Sequence, residues 1–153
     1  MNTVGSLATD IASGYFSYLT GSELNSQISS TSGWLESNFG QLNNMLYTSF
    51  SGANAALNLE EQAIYTQLYL KSYYVNKANR VLRNIDNDAD WVRITEGDTT
   101  LVRTNKNEVA KSYRALSKDA EDMAKSLTAS YHSFLAQPIQ VAGTDSYTGL
   151  LNF

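Results

Sequence analysis

The clearest pattern of apolar and polar positions predicts a long helix that begins after Asn58. Glu61 follows Asn58 by three residues, which is the spacing of a capping box, and its carboxylate suits the positive end of the helix dipole. Apolar residues then fall on one helical face: Ile64, Leu68, Val75, Ala78, Leu82 and Ile85. A second stripe steps by four beside them: Tyr65, Tyr69 and Tyr73. We therefore expect one face to be buried by the chain itself and the other by a neighbouring subunit.

A β-hairpin is predicted after this helix. The Asp-Asn-Asp run at 86–88 indicates a helix end and a turn. Residues 91–95 and 99–104 then have the composition of two short strands around Glu96-Gly97-Asp98, which predicts a hairpin over 91–104. A loop of two residues and a loop of three fit equally well, and each places different residues opposite one another.

A third helix is predicted from Asn105, because Glu108 follows at the capping-box spacing. Its apolar residues repeat at steps of four and three in a heptad-like seam: Val109, Tyr113, Leu116, Ala120, Met123 and Leu127. Charged residues occupy its other faces. Pro138, the only proline, ends this region, and residues 139–153 have too little periodicity for a helix.

The N-terminal part has weaker signals. Residues 1–31 are rich in Ser, Thr, Gly and Asn and predict a polar leader that is only partly ordered. A short helix is expected from Ser32 as a possible N-cap, with Gly40 as a break, and its apolar positions are Leu35, Phe39, Leu42 and Leu46. Residues 48–55 are expected to form a loop.

These elements predict a mainly α fold. We expect a helical bundle with two long antiparallel helices linked by a β-hairpin, a short N-terminal helix and an extended C-terminal arm. Residues 1–137 would form a single helical domain, and residues 138–153 the arm. A chain of 153 residues has the length of one domain and needs no disulfide to fold.

Charge is unevenly distributed along the chain. All eleven Lys and Arg residues lie between Lys71 and Lys125, although the net charge is only −4. The flanks carry few charges and many aromatic residues, a composition that is typical of protein interfaces. The alternative interpretation is that the N-terminal flank is simply a loosely ordered leader.

The residue types in the sequence give little support to an enzymatic function. Cysteine is absent and His132 is the only histidine, so a transition-metal site and a cysteine nucleophile are not expected. The alternating Asp86, Asp88 and Asp90 resemble the start of a calcium loop, but the glycine and glutamate that such a loop requires are missing. We expect no catalytic, cofactor-binding or metal-binding residue. No apolar run approaches the length of a membrane span.

Basic residues gather in and after the predicted hairpin. One interpretation is a nucleic-acid reader with Trp91 as a stacking group. Acidic residues are interleaved with the basic ones, however, so ion pairing within the hairpin or between subunits explains the set more simply. The basic residues are Arg93, Arg103, Lys106, Lys111 and Arg114.

Several stretches together resemble small virion proteins of tailed bacteriophages, specifically the head-to-tail connector or adaptor family of the neck. The stretches are WL at 34–35, QLNNMLYT at 41–48, LEEQAIY at 59–65, LYL at 68–70, YY at 73–74, WVRITEGD at 91–98 and NKNEVAK at 105–111. The resemblance covers roughly residues 32–130. The usual adaptor is shorter, so the N-terminal thirty residues are an addition.

This resemblance implies a ring of about twelve identical subunits beneath the portal. The partners would be other copies of the chain, the portal and the next neck or tail protein, with genomic DNA as passing cargo and no membrane. The protein would be made in the host cytoplasm and reside in the virion neck, without a cofactor. An extended arm would contact the portal through Ile139, Val141, Tyr147, Leu150, Leu151 and Phe153.

We further expect a subunit interface formed by Tyr65, Tyr69, Tyr73, Trp91, Arg93 and Arg103. Two other functions stay open at this point. The chain could be another neck component, such as a tail-completion or stopper protein. It could also be a cellular helical module that binds one partner protein.

Overall fold

The computed structural model describes residues 2–83, 94–96, 99–101 and 106–135. The described part of the chain is mainly α, as the sequence predicts. Its elements in chain order are α1 (Val4–Tyr15), α2 (Gly21–Ser37), α3 (Phe39–Leu46), α4 (Leu59–Leu82), β1 (Ile94–Glu96), β2 (Thr99–Leu101) and α5 (Lys106–Leu135).

The start of α4 follows the predicted capping box. The side-chain oxygen of Asn58 accepts a hydrogen bond from the Glu61 backbone N–H, and the Glu61 carboxylate accepts one from the Asn58 N–H, each at 2.9 Å. Two backbone donors that would lack helical partners are thus satisfied locally. The helix ends at Leu82, and the turn predicted at 86–88 lies outside the described residues.

Helices α4 and α5 pack against each other in antiparallel directions. The first turn of α4 meets the end of α5, where the Tyr131 hydroxyl donates to Glu61. Near the middle of the pair, Ser117 Oγ donates to the Lys71 carbonyl at 3.0 Å, and Lys71 Nζ lies 3.1 Å from a Glu121 carboxylate oxygen. At about 1.5 Å per residue the two helices are roughly 36 and 45 Å long.

The seam of α5 differs from the predicted one. The residues buried along α5 are mostly small, namely Ala110, Ser117, Ala120, Ala124 and Tyr131. Leu116 and Met123, which were expected inside, are 43% and 50% exposed. Small side chains at the contact let two helix axes approach closely, and the larger ones are displaced to the flank. The seam predicted from the apolar periodicity is therefore displaced by about one residue along the sequence from the residues that are buried.

The polar leader predicted for residues 1–31 is wrong, because α1 and most of α2 lie within it. Val4, Leu7 and Ile11 are buried at steps of three and four, so α1 has a complete apolar face despite its many small polar residues. The chain before α1 is anchored as well, since Asn2 and Leu57 exchange two backbone hydrogen bonds of 3.0 and 3.1 Å.

The first helix does not start at Ser32 as predicted. Ser32 lies inside α2, which begins at Gly21, where a backbone φ of +62° favours glycine. The break expected at Gly40 occurs two residues earlier, at Asn38, which separates α2 from α3. The loop predicted at 48–55 contains no helix or strand.

Two short strands pair between α4 and α5 in the sequence. Ile94 lies opposite Leu101, and Glu96 opposite Thr99, so two residues separate the strands. The hairpin predicted over 91–104 is not shown as a whole, because the residues between and beside these strands lie outside the described part of the chain. The hairpin as the link between the long helices, and the arm at 138–153, extend beyond the described residues.

Candidate interaction surface

Within the described residues, no group of three or more His, Asp or Glu side chains could hold a metal ion. His132 is near the end of α5, where its Nε2–H donates to the Met45 carbonyl at 2.6 Å and its ring lies 5.1 Å from that of Tyr47. This histidine therefore joins α5 to the end of α3. None of the described helices is long and apolar enough to cross a membrane.

The tyrosine stripe of α4 is covered by the chain itself. Tyr65 stacks on Phe39 with ring centroids 5.3 Å apart, and its hydroxyl donates to the Leu35 carbonyl. Tyr69 meets the edge of Trp34 at 5.5 Å. Both tyrosines are less than 5% exposed. Helices α2 and α3 thus occupy the face that the sequence assigned to a neighbouring subunit.

The predicted subunit contact through Tyr65 and Tyr69 is therefore wrong. Tyr73 is half-buried and packs on Phe16, 5.0 Å between ring centroids, so it too is partly covered from within the chain. Burial raises the pKa of the Tyr65 hydroxyl and that of the Tyr73 hydroxyl. The other predicted interface residues, Trp91, Arg93 and Arg103, lie outside the described part of the chain.

A small polar cluster accompanies this aromatic core. The Tyr69 hydroxyl accepts a hydrogen bond from Gln27 Nε2 at 2.9 Å and lies 3.1 Å from Thr31 Oγ1, which also donates to the Gln27 carbonyl. Thr31 is fully buried, and burial raises the pKa of Tyr69. Because each buried oxygen has a partner, the cluster is a structural link between α2 and α4.

Among the described residues, α5 carries several large apolar side chains that remain exposed. Leu116 and Met123 are seven residues apart, and Phe134 follows eleven residues later, so at 100° per residue all three lie within about 20° of one line along the helix. They are 43%, 50% and 61% exposed. We call these three residues the α5 stripe.

The α5 stripe faces away from the N-terminal helices. His132, which contacts α3, lies about 200° around the helix from Phe134, and Glu121 lies about 200° from Met123. Glu121 is on the charged flank, where the Lys71 ammonium, followed by Lys125 and Lys118, lowers the pKa of its carboxylate. The stripe is therefore an apolar flank opposite a charged one.

At its Phe134 end, the α5 stripe borders a groove between α4 and α5. Its volume is about 410 Å³, and its lining residues are Leu59, Glu60, Ala63, Leu127, Ser130, Tyr131 and Phe134. Leu59 and Phe134 stand on its two sides and are 81% and 61% exposed. We call this feature the terminal groove. Leu135, at the end of α5, is 62% exposed beside it.

The sequence patterns alone do not identify these surfaces. The predicted inner seam includes Leu116 and Met123, and it gives no role to Leu59 and Phe134. The signals that could have found them are the seven-residue spacing of Val109, Leu116 and Met123 and the absence of charge in α5 after Lys125. The predicted arm residues, from Ile139 to Phe153, lie outside the described part of the chain.

Comparison with known proteins does not extend this picture. No family model, no curated protein and no solved structure matches the chain. A proposal about function therefore rests on the surfaces of this fold and on the resemblance noted in the sequence.

Proposed function

We propose that the chain is a structural protein of the bacteriophage neck, a head-to-tail adaptor that links the capsid to the tail. Copies of it would form a ring beneath the portal and let the genomic DNA pass. The observation that carries the proposal is the α5 stripe, a line of large apolar side chains that the described residues of the chain leave exposed.

The α5 stripe has the properties of a contact between subunits. Leu116 and Met123 lie near the middle of a helix of 30 residues, and a second helix could pack along them with ordinary ridge-and-groove geometry. Val75 and Leu82 of α4, 41% and 36% exposed, add further uncovered apolar surface. Large apolar side chains gathered on one flank mark sites of protein association.

A ring requires more than one interface. Head-to-tail association pairs two different surfaces of each subunit and closes when the rotation between copies divides a full turn. The α5 stripe would supply one of these surfaces. In the proposed architecture, a hairpin over 91–104 links α4 to α5, and residues 138–153 form an extended arm.

The arm is the proposed contact with the portal. It combines six apolar side chains with a single charge, Asp145, and such a segment can place anchors in pockets of a partner. The anchors are Ile139, Val141, Tyr147, Leu150, Leu151 and Phe153. The next neck or tail protein would bind the opposite side of the ring.

Capture of the portal protein encoded in the same genome tests this proposal. Full-length chain immobilised on a resin should retain the portal, and a chain that lacks residues 138–153 should not. A Tyr47→Phe variant of the full chain is the matched control, because Tyr47 is 85% exposed and far from the arm in sequence.

Each failure has a different meaning. Normal portal binding by the truncated chain would refute the arm as the contact. Failure of the full chain to bind the portal would refute the adaptor role and favour a stopper or tail-completion protein, or a cellular protein-binding module.

A further inference from the structure

The terminal groove is an apolar concavity whose sides are strongly exposed. Leu59 comes from the first turn of α4 and Phe134 from the last turn of α5, with Ala63 and Leu127 between them. Glu60 is its only charged residue. A volume of about 410 Å³ lies at the lower end of the range of ligand pockets, enough for a few side chains but not for a helix.

The chain continues from the edge of this groove. Helix α5 ends at Leu135, one residue after Phe134, and residues 136–153 follow. At roughly 3.3 Å per residue these eighteen residues can extend about 60 Å, so they reach every part of the groove with length to spare. Pro138 disfavours continuation of the helix and thus favours a change of direction close to the groove.

The chemistry of the segment matches that of the groove. Among residues 136–153 the only charged side chain is Asp145, which is acidic like Glu60, so no ion pair would hold the segment and apolar contact must do so. Leu150, Leu151 and Phe153 are apolar and lie close together in the sequence, at the C-terminal end of the segment. Burial of such side chains yields about 25 cal/mol per Å² of apolar surface removed from water.

We propose that residues 136–153 fold back on the same chain and place their C-terminal apolar group in the terminal groove. A covalent tether favours this occupant over a second copy, because a short connection gives an effective concentration on the order of millimolar. The proposal does not depend on the adaptor role. If that role is correct, the arm must leave the groove before it can bind the portal.

The absence of cysteine makes this proposal directly testable. A single Asn152→Cys substitution in the full chain accepts a nitroxide spin label, which broadens the NMR signals of nearby amides. We expect strong broadening at residues 59–63 and 127–134 and none at Leu82, which lies at the opposite end of the α4–α5 pair. Normal signals at the groove would overturn the proposal.

A variant of the groove and a matched control test its specificity. Leu59→Glu places a carboxylate in the groove at a position where the helix dipole accepts an acidic side chain, so the fold should survive. We expect the broadening at 127–134 to be lost in this variant. Leu116→Glu changes an exposed leucine outside the groove and should leave the broadening intact. Persistence in Leu59→Glu, or equal loss in both variants, would contradict the proposal.

A mixed sample separates the two possible sources of the arm. Spin-labelled chain without isotope is combined with chain that carries ¹⁵N but no spin label, so that only contacts between copies broaden the observed signals. We expect no broadening at the groove in this sample. Broadening there would show that a second copy supplies the arm and would overturn assignment to the same chain.

Discussion

Removal of one buried hydroxyl should measurably loosen the junction between the two long helices. Glu61, 7% exposed, uses one carboxylate oxygen to cap α4 through the Asn58 N–H. Its other oxygen accepts a 2.9 Å hydrogen bond from the hydroxyl of Tyr131, which is 8% exposed. A Tyr131→Phe variant keeps the ring and deletes only this donor.

The size of the effect follows from what the carboxylate loses. A buried acceptor left without its donor costs about 1–3 kcal/mol, and hydrogen bonds to charged groups lie in the upper part of that range. The ring of Tyr131 lies 5.6 Å from that of His132 between centroids, and the phenylalanine ring of the variant would keep this packing, so no cavity opens. We therefore expect Tyr131→Phe to lower the free energy of unfolding by about 2 kcal/mol.

Urea denaturation followed by far-ultraviolet circular dichroism measures this loss. Tyr47→Phe makes the same chemical change at a site that is 85% exposed, and it should alter stability by no more than about 0.5 kcal/mol. The slope of the unfolding free energy against urea should be equal in all three proteins. A loss in Tyr131→Phe no greater than that of the control would refute the assignment of this hydrogen bond as a stabilising link.

Two further predictions concern alkaline stability and the α5 stripe. Burial raises the pKa of Tyr65 and Tyr73 above the usual 10.0, so their contribution to stability is complete below pH 10 and is lost as the pH rises toward the folded-state values. The urea midpoint should therefore fall steadily above pH 10, and a constant midpoint between pH 10 and 11.5 would contradict the burial of these hydroxyls. The double variant Leu116→Glu and Met123→Glu should change monomer stability by less than about 1 kcal/mol, because both side chains are about half exposed. Under the adaptor proposal, negative-stain electron microscopy should show no rings on the portal for that variant, whereas intact rings would exclude the stripe as a subunit contact.

Local signals in the sequence predicted the long helices well. The capping box of Asn58 and Glu61 specifies the start of α4 through contacts only three residues apart, and the structure forms both of its hydrogen bonds. The charged faces of α5 and its capping spacing at Asn105 and Glu108 similarly indicated a helix before Pro138, and the structure forms it at Lys106–Leu135. Both signals depend only on residues that are close together in the sequence, so they can be recognised without knowing the tertiary structure.

Features that depend on tertiary packing were not predictable in the same way. The leader interpretation failed because the apolar face of α1 is short and interrupted by Gly, Ser and Thr, and tertiary packing, including packing on α2, makes such a helix stable. The stripe formed by Tyr65 and Tyr69 looked like excess apolar surface. No pattern near these residues in the sequence indicates that Trp34 and Phe39, some thirty residues earlier, pack against them.

The uncovered surfaces were missed for a related reason. A pattern at steps of three and four does not distinguish a seam of large residues from an adjacent seam of small ones, and α5 buries Ala110, Ala120 and Ala124 while Leu116 remains exposed. The terminal groove arises where the first turn of α4 meets the last turn of α5. No spacing within either helix predicts it.

If the adaptor proposal is correct, the chain is part of a phage particle, and cryo-electron microscopy of purified particles that contain it would test this central claim most directly. The adaptor proposal predicts a ring of density beneath the portal into which copies of the α4–α5 pair fit. In that ring the α5 stripe of each copy should be covered by the next. A neck that lacks this fold, or a ring whose copies leave Leu116 and Met123 exposed to solvent, would contradict it.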